Sequence, residues 1–356
     1  MTTFTEVTTG FHVLTVAAVD PLTDDSVAIT FEVPEELRDV YAFTPGQHLT
    51  LRRVLDGEDL RRTYSICASA VTGPLRVAVK RLDGGVFSTW VLEQLQAGDE
   101  LEVLPPVGRF GPAVSVDRRR RYGLVAAGSG ITPILSIAAT VLDVEPASEV
   151  VLLFGNRTSR DVMFLEELSD LKDRYPTRLQ LVWVMSREEQ ESELLSGRLD
   201  RARLGQILDT LVPVDSVDEW YLCGPFGMVT EGRELLAERG AAQVHVELFH
   251  AEAPPPRPPR AAGEAGQATV VALLNGRSST LTMDRDDKVL DAVLAVRADA
   301  PYACRGGVCG TCRARVVAGA VEMEVNYALE PDELAAGVVL TCQSHPTTDE
   351  VRLEYL

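Results

Sequence analysis

The chain has 356 residues, 46% of them hydrophobic and 24% charged, a composition typical of a folded protein with more than one domain. Its net charge of −19 argues against nucleic acid or an anionic membrane as a partner. No apolar run approaches the roughly 18 residues needed to span a bilayer. Residues 1–6 lack the features of a secretory signal, so we expect a cytoplasmic protein.

Residues 1–112 contain short apolar strands separated by turn signals, a pattern that predicts an antiparallel β-barrel. The predicted strands are His12–Val19, Val27–Val33, His48–Arg53, Asp59–Ser65 and Leu75–Lys80. A single helix, Phe87–Gln94, is predicted after Asp83-Gly84-Gly85.

Residues 113–252 alternate between apolar strands and helices, which predicts a doubly wound α/β domain around a parallel sheet. The predicted strands are Gly123–Ala127, Val150–Phe154, Leu179–Met185, Trp220–Cys223 and Val244–Phe249. The predicted helices are Pro133–Leu142, Val162–Arg174, Arg201–Leu211 and Phe226–Arg239.

Residues 253–267 are rich in proline, alanine and glycine, and we interpret them as a semi-rigid linker. A third domain, residues 268–356, opens with strands Ala268–Leu274 and Ser279–Met283 on either side of an Asn275-Gly276 hairpin turn. A helix, Val289–Arg297, is predicted next and leads into a cysteine-rich loop.

Four cysteines in this third domain have the spacing of a plant-type [2Fe–2S] cluster. Cys304, Cys309 and Cys312 are separated by four and then two residues, and Cys342 follows after twenty-nine more. A structural zinc site is the first alternative, but zinc ligands usually come in two short pairs, and His345 has no second histidine nearby. Disulfides are the second, and they do not fit a chain without a secretory signal.

The turn after the first α/β strand, Gly128-Ser129-Gly130-Ile131-Thr132-Pro133, leads directly into a predicted helix. Thr132 is predicted to cap that helix and Pro133 to occupy its first position, where a missing N–H costs nothing. Two glycines let a pyrophosphate approach the positive end of the helix. They could equally serve an ordinary tight turn, since the full G-x-G-x-x-G fingerprint is absent.

The ends of the next two strands carry arginines where a dinucleotide ribose would lie. Arg157 follows the second strand, and Ser186-Arg187 follow the third, with no acidic residue placed to bind a ribose 2′-hydroxyl. Either arginine alone could be an ordinary surface residue. Together they favour a 2′-phosphate and therefore NADPH over NADH.

The barrel carries two further segments with binding chemistry. Arg62-Thr63-Tyr64-Ser65 combines a guanidinium suited to phosphate with a ring that can stack on a flavin. Gly84 to Ser88 is predicted to open a helix at Ser88, whose N-terminus would attract a phosphate. Taken singly, Tyr64 could be a core residue and Ser88 an ordinary cap.

These motifs together resemble a known family. Arg62 to Ser65, Gly128 to Pro133 and Cys223-Gly224-Pro225 resemble the motifs of ferredoxin–NADP reductase-like flavoenzymes, over residues 1–252. Residues 268–356 resemble plant-type ferredoxins, which have an α+β (β-grasp) fold. Fused in this order, they resemble the reductase components of multicomponent oxygenases.

Three narrower stretches, residues 301–309, 323–327 and 329–337, look most like the reductases of phenylacetyl-CoA epoxidases. Reductases of ketosteroid or aromatic-ring hydroxylases share parts of them and are the alternative. The resemblance therefore implies a diiron oxygenase as the protein partner.

The resemblance also implies site residues. The residues implied to contact the flavin, taken as FAD with FMN left open, are Arg62, Tyr64, Ser65, Val79, Arg81, Gly85, Ser88 and Phe249. The residues implied to contact NADPH are Gly128, Gly130, Thr132, Cys223 and Gly224, which add to Arg157, Ser186 and Arg187 inferred from the strand ends. Cys223, Tyr64 and Ser65 are the expected catalytic residues, and the four cysteines are the expected iron ligands.

Electron counting orders these cofactors. NADPH gives two electrons at once as a hydride, whereas a [2Fe–2S] cluster accepts one electron at a time. A flavin can accept the hydride and then donate single electrons. Electrons are therefore expected to pass from NADPH to the flavin, then to the cluster and then to the oxygenase. Two other classes remain as alternatives. A redox sensor would use cluster and flavin as a switch, and a zinc-stabilised interaction module would contain neither.

Overall fold

The computed structural model describes residues 10–250 and 266–356. They separate into two units, one of residues 11–249 and one that contains residues 266–356. Within the described ranges, no helix is both long and apolar enough to cross a membrane. The predicted linker lies outside the description except for residues 266 and 267, and a strand already begins at Gln267.

The first part of the unit of residues 11–249 is a six-stranded antiparallel sheet. Its elements are β1 (His12–Thr23), β2 (Ser26–Glu32), β3 (His48–Leu55), β4 (Glu58–Ser65), β5 (Arg76–Lys80), α1 (Val86–Gln94) and β6 (Glu100–Val103). The strand order is β4-β3-β6-β1-β2-β5, and a bridge between Ile66 and Val77 joins the two edges. The predicted barrel is confirmed, with β6 as a strand that the sequence did not predict.

A five-stranded parallel sheet follows, with helices between its strands. Its elements are β7 (Arg121–Ala127), α2 (Ile131–Val144), β8 (Glu149–Asn156), α3 (Leu165–Arg174), β9 (Leu179–Met185), α4 (Arg201–Thr210), β10 (Glu219–Gly224), α5 (Phe226–Glu238) and β11 (Val244–Leu248). The order β11-β10-β7-β8-β9 reverses direction at β7. Doubly wound sheets bind ligands beyond the carboxyl ends of their strands at this reversal.

Three predicted helix starts are wrong. Helix α1 begins at Val86, so Ser88 lies inside the helix rather than opening it. Helix α2 begins at Ile131 with Gly130 in the capping position, so Thr132 does not cap it and Pro133 is not its first residue. Helix α3 begins at Leu165 because Phe164 has a left-handed φ of 61°, which no right-handed helix accommodates.

A hydrogen-bonded carboxylate joins the barrel to the α/β sheet. Asp143, in α2, accepts hydrogen bonds from the hydroxyls of Ser69 (2.7 Å), Thr72 (2.8 Å) and Tyr175 (2.7 Å). Burial opposes ionisation of Asp143, but the hydrogen bonds outweigh it and lower the pKa of the carboxyl. Asp143 is therefore a charged acceptor shared by two barrel residues and the end of α3.

The unit of residues 266–356 is built around a mixed sheet. Its elements are β12 (Gln267–Leu274), β13 (Arg277–Asp284), α6 (Val289–Leu294), β14 (Arg313–Ala318), β15 (Val321–Met323), α7 (Pro331–Ala335), β16 (Val338–Leu340), β17 (Ser344–Pro346) and β18 (Glu350–Tyr355). The order is β13-β12-β18-β14-β16, with β12 and β18 parallel and the other pairs antiparallel. A separate two-stranded sheet pairs β15 with β17.

The hairpin turn predicted between β12 and β13 is present. Asn275 and Gly276 have φ values of 51° and 69°, as a two-residue turn of the I′ type requires. Helix α6 contributes Val289 and Val293 to a core shared with β12, and both side chains are fully buried. The helix ends three residues earlier than predicted, at Leu294.

Candidate functional site

Three elements from distant parts of the sequence meet where the barrel contacts the parallel sheet. Ser65, the last residue of β4, donates a hydrogen bond from its Oγ to Glu247 Oε2 in β11 at 2.7 Å. Cys223 lies opposite Glu247 in the register of β10 and β11, and it is fully buried. The structure therefore brings two of the three predicted catalytic residues to the same carboxyl group.

Glu247 is a candidate functional residue that sequence reasoning missed. Burial raises its pKa to about 7, although the hydrogen bond from Ser65 acts in the opposite direction. Burial also raises the pKa of the Cys223 thiol, and the nearby Glu247 charge adds to this effect. At neutral pH the thiol is protonated, while Glu247 can gain or lose a proton. The available signal was an acidic residue within the otherwise apolar end of β11.

The glycine turn between β7 and α2 lies at the reversal of strand order. Gly128 has a left-handed φ of 54°, and a Cβ there would meet no atom within 4 Å. At Gly130, by contrast, a Cβ would lie 2.1 Å from the Cys223 carbonyl oxygen. Gly128 thus leaves open space before α2, and Gly130 allows the turn to touch the end of β10. This arrangement suits a pyrophosphate beside the N-terminus of α2.

The remaining residues of the turn also lie next to β10. A Cβ on Gly224 would be 3.2 Å from the backbone nitrogen of Ala127, so these two strand ends are in close contact. The Thr132 hydroxyl donates to the Ser129 carbonyl at 3.0 Å and so closes the turn internally. The predicted nucleotide residues of the turn and of β10 are therefore neighbours.

The predicted phosphate segment of the barrel is a compact turn before α1. Ser88 Oγ donates to the Gly85 carbonyl and accepts from the Leu82 N–H, both at 3.1 Å. Gly84 has a φ of 72° and open space around its Cβ direction. Ser88 therefore holds this turn in shape, and the open side lies at Gly84.

Three other residues predicted to contact the flavin differ in their exposure and in which of their polar groups are already hydrogen-bonded within the protein. Arg62 is exposed, and its guanidinium donates to the Arg61 carbonyl at 2.9 Å. Val79 is fully buried in β5. The Arg81 N–H already donates to the Asp25 carbonyl at 2.7 Å, so a backbone contact from Arg81 to a flavin would have to use its carbonyl.

Both predicted flavin-facing aromatics pack against a core. The Tyr64 ring stacks on Phe87 with centroids 6.0 Å apart and planes at 30°. Phe249 follows β11 and packs, partly buried, against the core of the α/β sheet. These packing contacts fix the positions of the Tyr64 and Phe249 rings.

The ends of β8 and β9 are adjacent, as the predicted ribose site requires. The Arg187 N–H donates to the Arg157 carbonyl at 2.8 Å, and the Ser186 N–H donates to the Asn156 carbonyl at 2.9 Å. Both arginine side chains are exposed. The Asn156 side chain was missed from sequence. It is buried, and neither its Nδ2 nor its Oδ1 has a partner among the described residues, a pattern typical of a group completed by a ligand.

The four cysteines lie close together as two pairs. The Cys309 thiol hydrogen-bonds to Cys304 and lowers the pKa of Cys304 to about 6, and the Cys312 thiol lowers that of Cys342 in the same way. A [2Fe–2S] cluster takes two thiolates on each iron, and two adjacent thiol pairs match that requirement.

The loop between the first two cysteines directs backbone donors at sulfur. The Gly306 N–H donates to Cys304 Sγ at 3.4 Å, and the N–H groups of Val308 and Cys309 also lower the pKa of Cys304 by hydrogen bonding. Arg305 and Gly307 have left-handed φ values of 53° and 77°, which turn the chain around the sulfur. Donors of this kind stabilise thiolates that bind iron.

Three family models match consecutive stretches of the chain. An oxidoreductase FAD-binding domain matches residues 14–111, an oxidoreductase NAD-binding domain residues 124–234, and a 2Fe-2S iron–sulfur cluster binding domain residues 272–347. The chain therefore contains FAD-binding, NAD-binding and [2Fe–2S]-binding domains, and it is an NAD(P)H-dependent oxidoreductase.

The fold also matches a solved structure. Phthalate dioxygenase reductase superposes with a TM-score of 0.59 at 23% identity, covering 97% of this chain and 98% of that one. This confirms the predicted combination of a flavin barrel, a nucleotide-binding α/β fold and a ferredoxin fold.

Two curated relatives match almost end to end. One component of the 1,2-phenylacetyl-CoA epoxidase of Escherichia coli is 46% identical over 349 residues, which are 98% of each chain. The ferredoxin reductase component of 3-ketosteroid-9-alpha-monooxygenase from Rhodococcus rhodochrous is 38% identical over 96% of each chain. With similarity of this extent to both, the chain belongs to the family of oxygenase reductases that carry FAD-binding, NAD-binding and [2Fe–2S] domains in one polypeptide.

Proposed function

We propose that this chain is an NADPH-dependent reductase that delivers single electrons to a diiron oxygenase, and that this oxygenase is a phenylacetyl-CoA 1,2-epoxidase. The observation that supports this oxygenase most strongly is the 46% identity over 98% of both chains with the epoxidase component of Escherichia coli. The ketosteroid monooxygenase reductase, at 38% identity, supports the runner-up. The expected cytoplasmic location remains a prediction.

We assign the domains as predicted from the sequence: 1–112 to flavin, 113–252 to nucleotide, 253–267 to a linker and 268–356 to the cluster. The one adjustment concerns Gln267, which belongs to β12 and therefore to the cluster domain. The proline-rich linker would allow the cluster domain to reach first the flavin and then the oxygenase.

The nucleotide site proposed here lies at the reversal of strand order. Gly128 and Gly130 would receive the pyrophosphate of NADPH, and Cys223 and Gly224 would lie beside the nicotinamide. The exposed side chains of Arg157 and Arg187 are available for a 2′-phosphate, which a guanidinium binds with charge-assisted hydrogen bonds. This is the basis for preferring NADPH over NADH.

The junction of Ser65, Cys223 and Glu247 would then be the reaction centre. When bound, FAD supplies the conversion of a hydride into single electrons. The residues of the chain would bury this junction and position the flavin and nicotinamide rings. Ser65 Oγ donates a hydrogen bond to Glu247 Oε2 at 2.7 Å, and the Glu247 carboxyl can itself hold or release a proton near neutral pH because burial raises its pKa to about 7.

We propose the loop from Arg305 to Gly310 as the docking face for the oxygenase, because electron transfer requires the cluster near the partner. The Arg305 side chain is half exposed, and its Nη1 contacts Asp291 Oδ1 at 2.9 Å. Its guanidinium also lies 4.6 Å from the centre of the Tyr302 ring. An exposed ion pair of this kind contributes at most about 1 kcal/mol, so a partner carboxylate could replace Asp291. Docking would be transient and partly electrostatic.

The deciding experiment reconstitutes turnover with purified oxygenases. The absorption spectrum of the pure protein is recorded first, and flavin and iron–sulfur bands must both be present. The protein is then combined with NADPH and either a phenylacetyl-CoA epoxidase or a ketosteroid monooxygenase, and product is measured. We expect efficient epoxidation and little steroid hydroxylation.

Two outcomes would contradict this assignment in different ways. Absence of flavin or cluster bands would exclude an electron-transfer reductase and favour a zinc-stabilised module. Normal bands with efficient steroid hydroxylation and no epoxidation would keep the reductase but move it to the runner-up oxygenase.

A further inference from the structure

One buried side chain beside the four cysteines has no role in the chemistry described above. Gln343 follows Cys342 directly and is 1% exposed. Its Nε2 donates to the Arg305 carbonyl at 2.8 Å and to Cys342 Sγ at 3.5 Å. The same amide therefore contacts both the loop that holds the first cysteines and the sulfur of the fourth.

The backbone of Gln343 is also held. Its carbonyl accepts a hydrogen bond from the Glu324 N–H at 2.9 Å, between β15 and β17. The side chain packs so closely under the loop that a Cβ on Gly307 would lie 3.1 Å from Gln343 Cγ. The amide therefore has little freedom to turn away from the sulfur.

The contact with Arg305 supports a strained conformation. Arg305 has a φ of 53°, a left-handed conformation that is unfavourable for a residue with a Cβ. A hydrogen bond to its carbonyl, buried beside the loop, offsets part of this cost. Gln343 thus favours the loop conformation in which the backbone N–H groups point at Cys304.

The contact with Cys342 has a separate electrostatic consequence. Reduction of a [2Fe–2S] cluster adds one negative charge, part of which lies on the sulfurs. A donor aimed at a ligand sulfur stabilises the reduced state more than the oxidised state, and so raises the reduction potential. Burial strengthens this effect because water does not screen it.

We propose that Gln343 is a positioning residue of the cluster site: its amide locks the Arg305 loop against Cys342 and, through the Cys342 sulfur, raises the reduction potential of the cluster. The proposal rests on the proposed function, in which Cys304, Cys309, Cys312 and Cys342 bind the iron. It predicts that cluster potential and loop order depend on one side chain that is not itself a ligand.

The test compares Gln343→Met with wild type in the full-length holoprotein. Methionine keeps a similar length and apolar bulk but cannot donate, so both hydrogen bonds are lost. The midpoint potential is measured by titration followed by EPR, and cluster retention by the decay of visible absorbance during incubation with a chelator. We expect a lower midpoint potential and faster loss of the cluster.

Ser344→Ala is the matched control. Ser344 is buried in the next position and donates to the Leu340 carbonyl at 2.8 Å, so its removal also deletes one buried hydrogen bond. Because that bond is directed at a carbonyl oxygen, we expect no change in potential. An unchanged potential in Gln343→Met would overturn the proposal and leave Gln343 as a packing residue. An equal shift in both variants would overturn it as well.

A measurement on wild-type protein covers the case in which Gln343→Met does not fold. Protein labelled with ¹⁵N in glutamine side chains is reduced and examined by pulsed EPR. A coupling between the cluster spin and a side-chain ¹⁵N is expected, and its absence contradicts the contact. A wild-type protein without any cluster would instead contradict the proposed function.

Discussion

The two units of this protein assemble their candidate functional residues in opposite ways. In the cluster unit, three of the four cysteines lie within nine consecutive residues, and one loop orients them. In the flavin and nucleotide unit, Ser65 and Glu247 are 182 residues apart and meet only because β4, β10 and β11 end at the same place. Residues of a site that are close in sequence can be recognised from their spacing. Residues that the fold brings together from distant segments cannot, and Glu247 was missed for this reason.

The comparison predicts that the local site can be destroyed without damage to the assembled one. Cys309→Ser should abolish the cluster and all transfer to an oxygenase, because one iron loses a ligand. NADPH oxidation with an artificial two-electron acceptor should remain. EPR and a diaphorase assay measure the two effects.

Cys67→Ser is the control for this prediction, since Cys67 is a buried barrel thiol that donates to the Arg76 carbonyl. It should keep the cluster. Loss of diaphorase activity in Cys309→Ser would mean that the two units depend on each other.

A second prediction concerns the assembled site and its dependence on pH. Glu247 binds a proton more tightly in the folded protein, where its pKa is about 7, than in the unfolded chain, where the ordinary value is 4.5. This contribution to stability is fully present below about pH 4.5 and is lost as pH rises through 7. It corresponds to at most about 3 kcal/mol. Glu247→Gln should remove this part of the pH dependence.

Thermal release of flavin fluorescence between pH 5 and pH 8 measures this effect. Glu238→Gln, on the exposed side of α5, is the matched control and should follow wild type. Parallel curves for wild type and Glu247→Gln would show that the carboxyl titrates normally.

The third prediction tests whether the two strand-end arginines recognise a phosphate. Arg157→Ala and Arg187→Ala should each weaken NADPH and spare NADH. A charge-assisted contact contributes about 1.5–3 kcal/mol, so affinity should fall roughly ten- to a hundredfold. KM values for both nucleotides provide the measurement.

Arg160→Ala is the control, because Arg160 is exposed in the same segment but is not assigned to the nucleotide. Equal losses for NADPH and NADH in the Arg157 and Arg187 variants would mean that these residues only support the strand ends.

The smallest expected effect concerns the surface of the cluster unit. Arg305→Glu should slow reduction of the oxygenase several-fold and leave the cluster spectrum and flavin reduction intact. The effect should diminish as salt shortens the screening length from about 10 Å at 0.1 M. Stopped-flow measurement of oxygenase reduction would detect it.

Arg315→Glu, an exposed charge reversal on β14, is the control and should transfer electrons at the wild-type rate. Equal rates for Arg305→Glu and wild type would place the docking face elsewhere.

Strand and helix order in the first unit could be predicted because apolar periodicity is a local signal. The incorrect predictions concerned the backbone conformation of single residues. Phe164 lies in the left-handed region, and α2 is capped by Gly130 rather than by the predicted Thr132. β6 was missed because four residues are too few to show alternation.

In the second unit, the cysteine spacing predicted a [2Fe–2S] domain, which the family comparison confirms, but strands β14 to β18 were not predicted. Several are only three residues long, and their pairing with β12 and β18 depends on contacts far apart in the sequence. The Asn275-Gly276 turn was predicted correctly because it requires only two adjacent residues that accept positive φ. Buried polar groups such as Asn156 and Gln343 could not be found, since burial depends on the complete fold.

Asp143 has a mechanical consequence. A hinge motion between the barrel and the parallel sheet would pull Ser69 and Thr72 away from a carboxylate that they share with Tyr175. It would also break the contact between Arg76 and Glu167, 3.1 Å apart, which joins β5 to α3. We therefore expect these two parts to move as one rigid body throughout the catalytic cycle.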